Sequence, residues 1–174
     1  MWIIIFLELI TFGLALISMV YYSKENPELF HESRLQLNGV IGTINTLLLI
    51  SGGFFMAQSV AYLKQENIQK SSLYLKLTML GGVLFLVLKT FEYISKIDAG
   101  LTIGYNTFFT FYWMLTLFHV IHMLVGLVIL GSIYIGINKK ESTTTIEDVE
   151  ASAAFWHMCD LIWLLLFPII YLLF

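Results

Sequence analysis

The sequence contains little cysteine, proline or charge, and each shortage excludes a class of protein. Cys159 is the single cysteine in 174 residues, so the chain can form neither a disulfide framework nor a metal site that needs two of its own thiolates. Charged residues make up 12% of the chain, against about 25% in soluble domains. The net charge of −3 is divided between both signs, which argues against a nucleic-acid partner. Two prolines are consistent with long helices joined by short connections.

The chain consists instead of long apolar runs. Hydrophobic residues make up 59% of it, and five runs are long enough to cross the ~30 Å hydrocarbon layer of a bilayer. Lipid cannot satisfy open backbone groups, so each run is predicted to be an unbroken helix. We therefore expect an all-α integral membrane protein, with residues 1–174 forming a single membrane domain and a bundle of five transmembrane helices. The predicted helices cover about residues 2–22, 38–63, 73–95, 107–137 and 151–173.

The first two segments of the chain carry further signals. The first run lacks a basic segment before it and a small-residue cleavage site behind it, so it is predicted to be a retained helix and not a signal peptide. After it, Pro27 and an alternation of apolar and charged residues up to Leu37 indicate a short surface helix.

The basic residues of the connections predict the orientation. Those near the second and fourth connections outnumber those near the first and third by five to three. This bias predicts a multi-pass membrane protein with its amino terminus on the inner, cytoplasmic side and its carboxyl terminus on the outer side. The five are Lys64, Lys70, Lys76, Lys139 and Lys140, and the three are Lys24, Arg34 and Lys96.

Ionisable residues inside the apolar runs are the candidate functional residues, because such groups normally face the bundle interior and pair with one another. Lys89 and Glu92, three residues apart, are predicted to form an ion pair near the outer end, where Glu92 can reach headgroups or water. The fourth and fifth runs are antiparallel neighbours because their connection is short, and we expect an interhelical polar cluster between them. Its predicted members are His119, His122, Glu150, His157 and Asp160.

Three functions can be weighed against these residues. A haem protein needs two axial histidines at one depth, whereas His122 and His157 differ in depth by ~13 Å along their predicted helices. A proton-conducting carrier could use the buried carboxylates and histidines, but the broken helices and paired halves of secondary transporters are missing from the sequence. An accessory subunit needs only a polar cluster that joins its own helices and fits them to a partner. The residues favour the accessory subunit without naming its partner.

Short motifs in a fixed order resemble subunit III of the haem-copper respiratory oxidases, along all five runs. The most specific is Glu150-Ala151 followed by Trp156-His157-x-x-Asp160-x-x-Trp163. Members of that family usually have two more helices at the start. The shortened form, with Asn26-Pro27-Glu28-Leu29-Phe30 before the second run, is similar to the small subunit associated with bacterial nitric oxide reductase, the NorE type. The remaining motifs are Asn45-Thr46, Ser51-Gly52, Glu92-Tyr93, Phe108-Phe109 and Phe118-His119-x-x-His122 with Gly126.

The resemblance implies a subunit of the respiratory electron-transport chain that has no catalytic residue, metal or haem of its own. It also implies the bacterial inner membrane, in which the outer side and hence the carboxyl terminus are periplasmic. Haem, with or without copper, is expected in the partner, a catalytic subunit whose stability and proton supply this chain would support. Phospholipid is expected in grooves between the helices. Glu8 matches the family's buried carboxylate near the entry to the catalytic subunit's proton-uptake path, although the usual serine neighbour is Leu7 here. Glu8 is therefore either a proton antenna or a neutral acid hydrogen-bonded to a neighbouring helix.

Overall fold

A computed structural model describes residues 2–139 and 144–174, and these residues fold into six α-helices. Five of the six are long and apolar enough to cross a membrane, which confirms the predicted fold class. The helices are α1 (Trp2–Ser23), α2 (Pro27–Leu35), α3 (Gly39–Lys64), α4 (Ile68–Asp98), α5 (Thr107–Ile137) and α6 (Ile146–Tyr171).

Polar side chains in the connections determine where the long helices begin. The side chains of Asn38, Asn67 and Asn106 each accept a hydrogen bond from a backbone N–H in the first turn of the following helix. At the start of α6, Thr145 and Asp148 form a reciprocal capping box. These caps correct two predicted boundaries: α4 begins at residue 68 where 73 was expected, and α6 begins at 146 where 151 was expected.

Helix α2 is the surface helix of the first connection, and it lies across one end of the bundle. Phe30 on its inner face is buried and packs edge-on against the rings of Phe108 and Phe174. Three hydrogen bonds also fix α2: Arg34 Nε to the Tyr171 carbonyl at 2.9 Å, Asn106 Nδ2 to Ser33 Oγ at 2.8 Å, and Lys96 Nζ to the Gln36 carbonyl at 2.5 Å.

The long helices run alternately between this α2 end and the opposite end, which we call the Lys64 end. Helices α3 to α6 share one core, against which α1 packs through α5 and α6. In that core Trp156 occupies space left by two glycines. A Cβ atom at Gly82 would lie 2.6 Å from the Trp156 ring, and one at Gly126 would lie 3.3 Å from it. A side chain at either position would therefore displace the indole.

The basic residues used to predict orientation are not all free charges in connections. Lys96 is buried and bonded to the Gln36 carbonyl, and the ammonium group of Lys76 lies 5.2 Å from the centroid of the Tyr134 ring. Lys140 lies outside the described residues.

Candidate functional site

The ion pair of Lys89 and Glu92 is a deeply buried polar contact on α4. Lys89 Nζ lies 3.0 Å from Glu92 Oε2, and the two side chains are 1% and 2% exposed. The predicted contact of Lys89 with Glu92 is present, but the prediction that Glu92 reaches headgroups or water is wrong. Helix α4 continues to Asp98 and α2 lies across this end, so both charges are inside the bundle.

Two tyrosine hydroxyls complete the bonding of the pair. Tyr171 donates to Glu92 Oε1 at 2.6 Å, and Tyr112 donates to the same oxygen at 3.0 Å. Lys89 Nζ donates in turn to both phenol oxygens, at 2.8 Å to Tyr171 and 3.3 Å to Tyr112. Both carboxylate oxygens and all three ammonium protons therefore have partners, which a stable buried ion pair requires. We call Lys89, Glu92, Tyr112 and Tyr171 the Lys89 cluster.

Aromatic rings surround the ammonium group of this cluster. Lys89 Nζ lies between 4.9 and 5.4 Å from the centroids of four rings. The electron-rich faces of aromatic rings attract a cation, and more strongly when water is excluded. The charge is thus stabilised by ring faces as well as by hydrogen bonds. The four rings belong to Tyr93, Tyr112, Trp163 and Tyr171.

Glu8 on α1 makes a contact with His122 on α5. Glu8 Oε2 lies 3.2 Å from His122 Nε2, while His122 Nδ1 lies 2.7 Å from the carbonyl oxygen of Phe118. A carbonyl can only accept, so Nδ1 carries the proton in that contact and Nε2 faces the Glu8 carboxyl. The contact joins α1 to α5.

His119 is fully buried in an aromatic environment. Its ring centroid lies 5.3 Å from that of Trp163, and the Phe85 ring meets it edge-on at 5.6 Å. Neither ring nitrogen has a hydrogen-bond partner among the described residues. The indole Nε1 of Trp163 donates a hydrogen bond to Thr46 Oγ1 at 3.0 Å, which joins α6 to α3.

Three further polar residues lie on α6. His157 Nδ1 is 3.7 Å from Asp160 Oδ2, with the two side chains 45% and 10% exposed. That distance is too long for a direct hydrogen bond. Glu150 pairs with Lys64 of α3 at 2.5 Å, and both of these side chains are substantially exposed.

The predicted interhelical cluster is therefore divided among separate contacts. The reason lies in helix geometry and in the position of α1. A step of three residues turns a helix about 300°, so the His119 and His122 rings diverge by about 60° around the α5 axis. His119 enters the core, whereas His122 faces α1, whose packing against α5 the sequence does not specify. His157 and Asp160 contact each other, and Glu150 contacts Lys64.

A cleft of about 650 Å³ opens between α1, α3 and α6 at the Lys64 end. Its walls are mainly apolar and include Ile5, Val60 and Met158, while Glu150 and His157 supply polar groups. No three His, Cys, Asp or Glu side chains converge around a possible metal position within residues 2–139 and 144–174.

The residues of the Lys89 cluster were only partly predicted. The three-residue spacing of Lys89 and Glu92 indicates their contact. Tyr171 was missed, although a tyrosine in an apolar helix needs a partner for its hydroxyl. That need could have signalled a polar contact, but not which of the buried groups it meets.

The sequence profile of the family described as Cytochrome c oxidase subunit III matches residues 36–173. This segment includes α3 to α6 and therefore the whole Lys89 cluster. The chain belongs to the cytochrome c oxidase subunit III family. The resemblance predicted from the sequence motifs is confirmed at the level of the family, and α1 with Glu8 precedes the segment matched by the profile.

Three relatives illustrate the range of this subunit III family. Cytochrome c oxidase subunit 3 of Synechocystis sp. is 32% identical over 149 residues, covering 84% of this chain and 61% of the relative. Cytochrome bo(3) ubiquinol oxidase subunit 3 of Buchnera aphidicola is 28% identical over 130 residues, covering 74% and 63%. Heme-copper oxidase subunit I+III of Aeropyrum pernix is 25% identical over 182 residues, covering 99% and 22%. The chain thus spans about three fifths of the two subunit 3 relatives and about a fifth of the third.

Proposed function

We propose that this chain is a non-catalytic accessory subunit of a respiratory haem-copper oxidase or nitric oxide reductase, packed against the catalytic subunit. The observation that carries the proposal is the family match over residues 36–173. The geometry supports it, because the Lys89 cluster and the contact of Glu8 with His122 join the chain's own helices. These groups stabilise the subunit and leave its apolar outer faces for lipid and for the partner.

The name of one relative supports the choice of partner. The Aeropyrum pernix protein is named as subunit I+III, and this chain aligns with 22% of its length. A subunit III sequence within the same polypeptide as subunit I lies at a high effective concentration beside it. We propose the same neighbour for this chain: a haem-bearing catalytic subunit.

Affinity purification tests this proposal. The chain is tagged, extracted from its native membrane in mild detergent, and the co-purifying proteins are identified by mass spectrometry and by their visible spectrum. We expect a large subunit with haem absorption, present in stoichiometric amount. A second multi-pass protein from the same membrane, carrying the same tag, controls for non-specific capture. A chain that repeatedly purifies without any haem protein would contradict the proposal.

The segment Asn26–Phe30 supports a partner of the nitric oxide reductase kind, through its similarity to the NorE type. In the structure Asn26 precedes α2 and the other four residues form its first turn, with Phe30 buried against the bundle. The purified complex separates the two possibilities, because its consumption of oxygen and of nitric oxide can be compared with the same electron donor. Faster reduction of oxygen with no reduction of nitric oxide would reject the NorE assignment.

We also propose that the chain resides in a bacterial inner membrane with its amino terminus in the cytoplasm. Five crossings put the two termini on opposite sides, and the lysine bias at the Lys64 end supports this direction. A reporter that is active only in the periplasm is expected to work after Phe174 and to be silent in the turn at Asn67. The reverse pattern would overturn the orientation.

For Glu8, we propose the role of a hydrogen-bonded acid and not of a proton antenna. Its contact with His122 at 3.2 Å supports this choice. Gln preserves hydrogen bonding but cannot carry a proton. Turnover of the complex with Glu8→Gln is therefore expected to match wild type, while removal of the whole subunit is harmful. If Glu8→Gln impairs turnover as much as removal does, the antenna assignment is correct.

The cleft at the Lys64 end supports the proposal that the subunit binds phospholipid. Lys64 and Glu150 pair at 2.5 Å near its rim, so a phosphate and an ammonium headgroup could each find an opposite charge. Native mass spectrometry of the purified chain is expected to retain phospholipid, and fewer molecules in the double variant Lys64→Met, Glu150→Met. The same preparation is expected to contain no iron or copper, which elemental analysis checks.

A further inference from the structure

The two phenols of the Lys89 cluster share one proton acceptor. Tyr171 and Tyr112 both donate to Glu92 Oε1, at 2.6 and 3.0 Å. The acceptor is 2% exposed and the donors are buried, so water does not compete for these bonds. The Tyr171 bond has the length of a strong, charge-assisted O–H···O⁻ hydrogen bond, and the Tyr112 bond is longer.

This arrangement has a chemical consequence beyond stability. A phenol that loses an electron becomes a strong acid, and the loss is much easier when a base can take the proton in the same step. Glu92 is such a base for Tyr171. Lys89 Nζ, 2.8 Å from the Tyr171 oxygen, can continue to donate to that oxygen after its proton has left.

We infer that Tyr171 and Tyr112 are a redox-active pair, which donates single electrons to strong one-electron oxidants while Glu92 takes the proton. In the step the O–H bond of one tyrosine breaks and an O–H bond forms on the Glu92 carboxylate. The electron passes to the oxidant, an oxygen-centred radical or an oxidised metal complex, which is reduced by one electron. The products are a neutral phenoxyl radical and a carboxylic acid, both retained inside the cluster.

A route for the electron leads from the cluster through neighbouring rings. Tyr112 and Trp113 have ring centroids 5.8 Å apart, and Trp113 and Tyr93 lie 4.7 Å apart. Tyr112, Tyr171 and Trp113 are buried, whereas Tyr93 is half-buried. The row of rings therefore leads from the enclosed pair to Tyr93, where an external oxidant can approach.

The experiment uses the full chain purified in detergent and a fluorine label that leaves the fold intact. Fluorotyrosine is incorporated at position 171, at 112 or, as the control, at 62. Tyr62 stacks on Tyr74 at 5.3 Å, and no carboxylate accepts from its hydroxyl among the described residues. Each sample is illuminated with a ruthenium polypyridine complex and peroxydisulfate as the electron acceptor, then frozen for electron paramagnetic resonance.

We expect a tyrosyl radical whose spectrum shows fluorine splitting when the label is at 171 or 112, and none when it is at 62. Glu92→Gln should abolish the split signal, and radical formation in wild type should slow in D2O because the proton moves with the electron. The D2O measurement decides if Glu92→Gln fails to fold. The inference is overturned by a radical without splitting from 171 or 112, by the absence of any radical, or by formation that is indifferent to both Glu92→Gln and D2O.

Discussion

Two regions of the bundle carry an acid and a base three residues apart on one helix, yet their structures differ. In the Lys89 cluster on α4 the two charged groups are 3.0 Å apart and at most 2% exposed. On α6, His157 and Asp160 are 3.7 Å apart, and the histidine is 45% exposed. The first contact is closed on all sides, whereas the second opens into the cleft at the Lys64 end.

The neighbouring helices cause this difference. Opposite Lys89 and Glu92, α5 and α6 supply the hydroxyls of Tyr112 and Tyr171. Opposite Asp160, α3 supplies Gly53, where an added Cβ would lie 2.5 Å from the carboxylate. The same spacing in the sequence therefore gives a fully hydrogen-bonded ion pair in one place and a loosely bonded acid in the other. The hydrogen-bonding groups on the facing helices determine which of the two forms.

Removing one charge of the Lys89 cluster should have the largest effect. Lys89→Met leaves Glu92 buried without its cation, and Glu92→Leu leaves the ammonium without its anion. Each single change is expected to lower the free energy of unfolding in detergent by about 3 to 5 kcal/mol. The double variant Lys89→Met, Glu92→Leu should recover most of that loss, because no charge is left unpaired. Equilibrium unfolding of the four proteins measures the coupling.

This double-mutant cycle can refute the distinction between the two regions. If the two single variants each lose less than about 1 kcal/mol, the pair behaves as an exposed one. If the double variant loses as much as the sum of the singles, the two charges are not coupled. Either result would mean that the phenols do not enclose the pair as described.

How much of this was predictable differs between fold and site. The five spans follow from hydropathy, because each helix must satisfy its own backbone in lipid. The contact of Lys89 with Glu92 follows from helical spacing alone. The contact of Glu8 with His122 could not be predicted, since it depends on how α1 packs against α5. Packing between helices is set by shape and by small residues over many positions, and a single sequence does not specify it.

The burial of Glu92 shows the same limit in one residue. Its place near the end of the third run predicted access to headgroups, and that prediction is wrong. Two features beyond the run itself bury it: α4 continues to Asp98, and α2 lies across this end through Arg34 and Lys96. The second depends on tertiary contacts of a short amphipathic helix, whose position the sequence does not give.

Substituting alanine for Gly82 or Gly53 should show whether the atoms around each glycine can move to accept a methyl group. At Gly82 the new methyl would lie 2.6 Å from the Trp156 ring, which is fully enclosed. We expect Gly82→Ala to destabilise by about 1 to 3 kcal/mol, as overpacking of a dense core does. At Gly53 the obstacle is the Asp160 carboxylate, which is the end of a flexible side chain and can rotate away, so Gly53→Ala should destabilise less than Gly82→Ala.

The control for this pair is Gly131→Ala on α5, where the added methyl meets nothing within 4 Å. Alanine there should be neutral or stabilising by up to about 1 kcal/mol, through helix propensity. Thermal unfolding of the three variants in one detergent ranks them. A loss at Gly53 equal to that at Gly82 would contradict the yielding character of the Asp160 side.

Replacing Asp160 or His157 by leucine tests the open region directly. Asp160 is buried against α3 and is expected to contribute about 0.6 to 2 kcal/mol per interaction lost, the range for polar contacts between membrane helices. His157 is more exposed, so His157→Leu should lie at the lower limit or below it. Thermal stability of the solubilised protein measures both. Neutral behaviour of Asp160→Leu would show that this carboxylate does not join α6 to its neighbours.

The smallest effect is expected at the rim of the cleft, where Lys64 pairs with Glu150 at 2.5 Å. This contact is as short as any in the Lys89 cluster, but the side chains are 55% and 44% exposed. Water and salt weaken the attraction between exposed charges, and holding two long side chains in place opposes it. Lys64→Met and Glu150→Met should therefore each lower the free energy of unfolding by about 1 kcal/mol or less, and less still at high salt. Their double variant should show weak coupling, in contrast to Lys89 with Glu92. A coupling at the rim as large as that in the buried cluster would mean that short distance alone, and not burial among hydroxyl donors, determines the strength of ion pairs in this bundle.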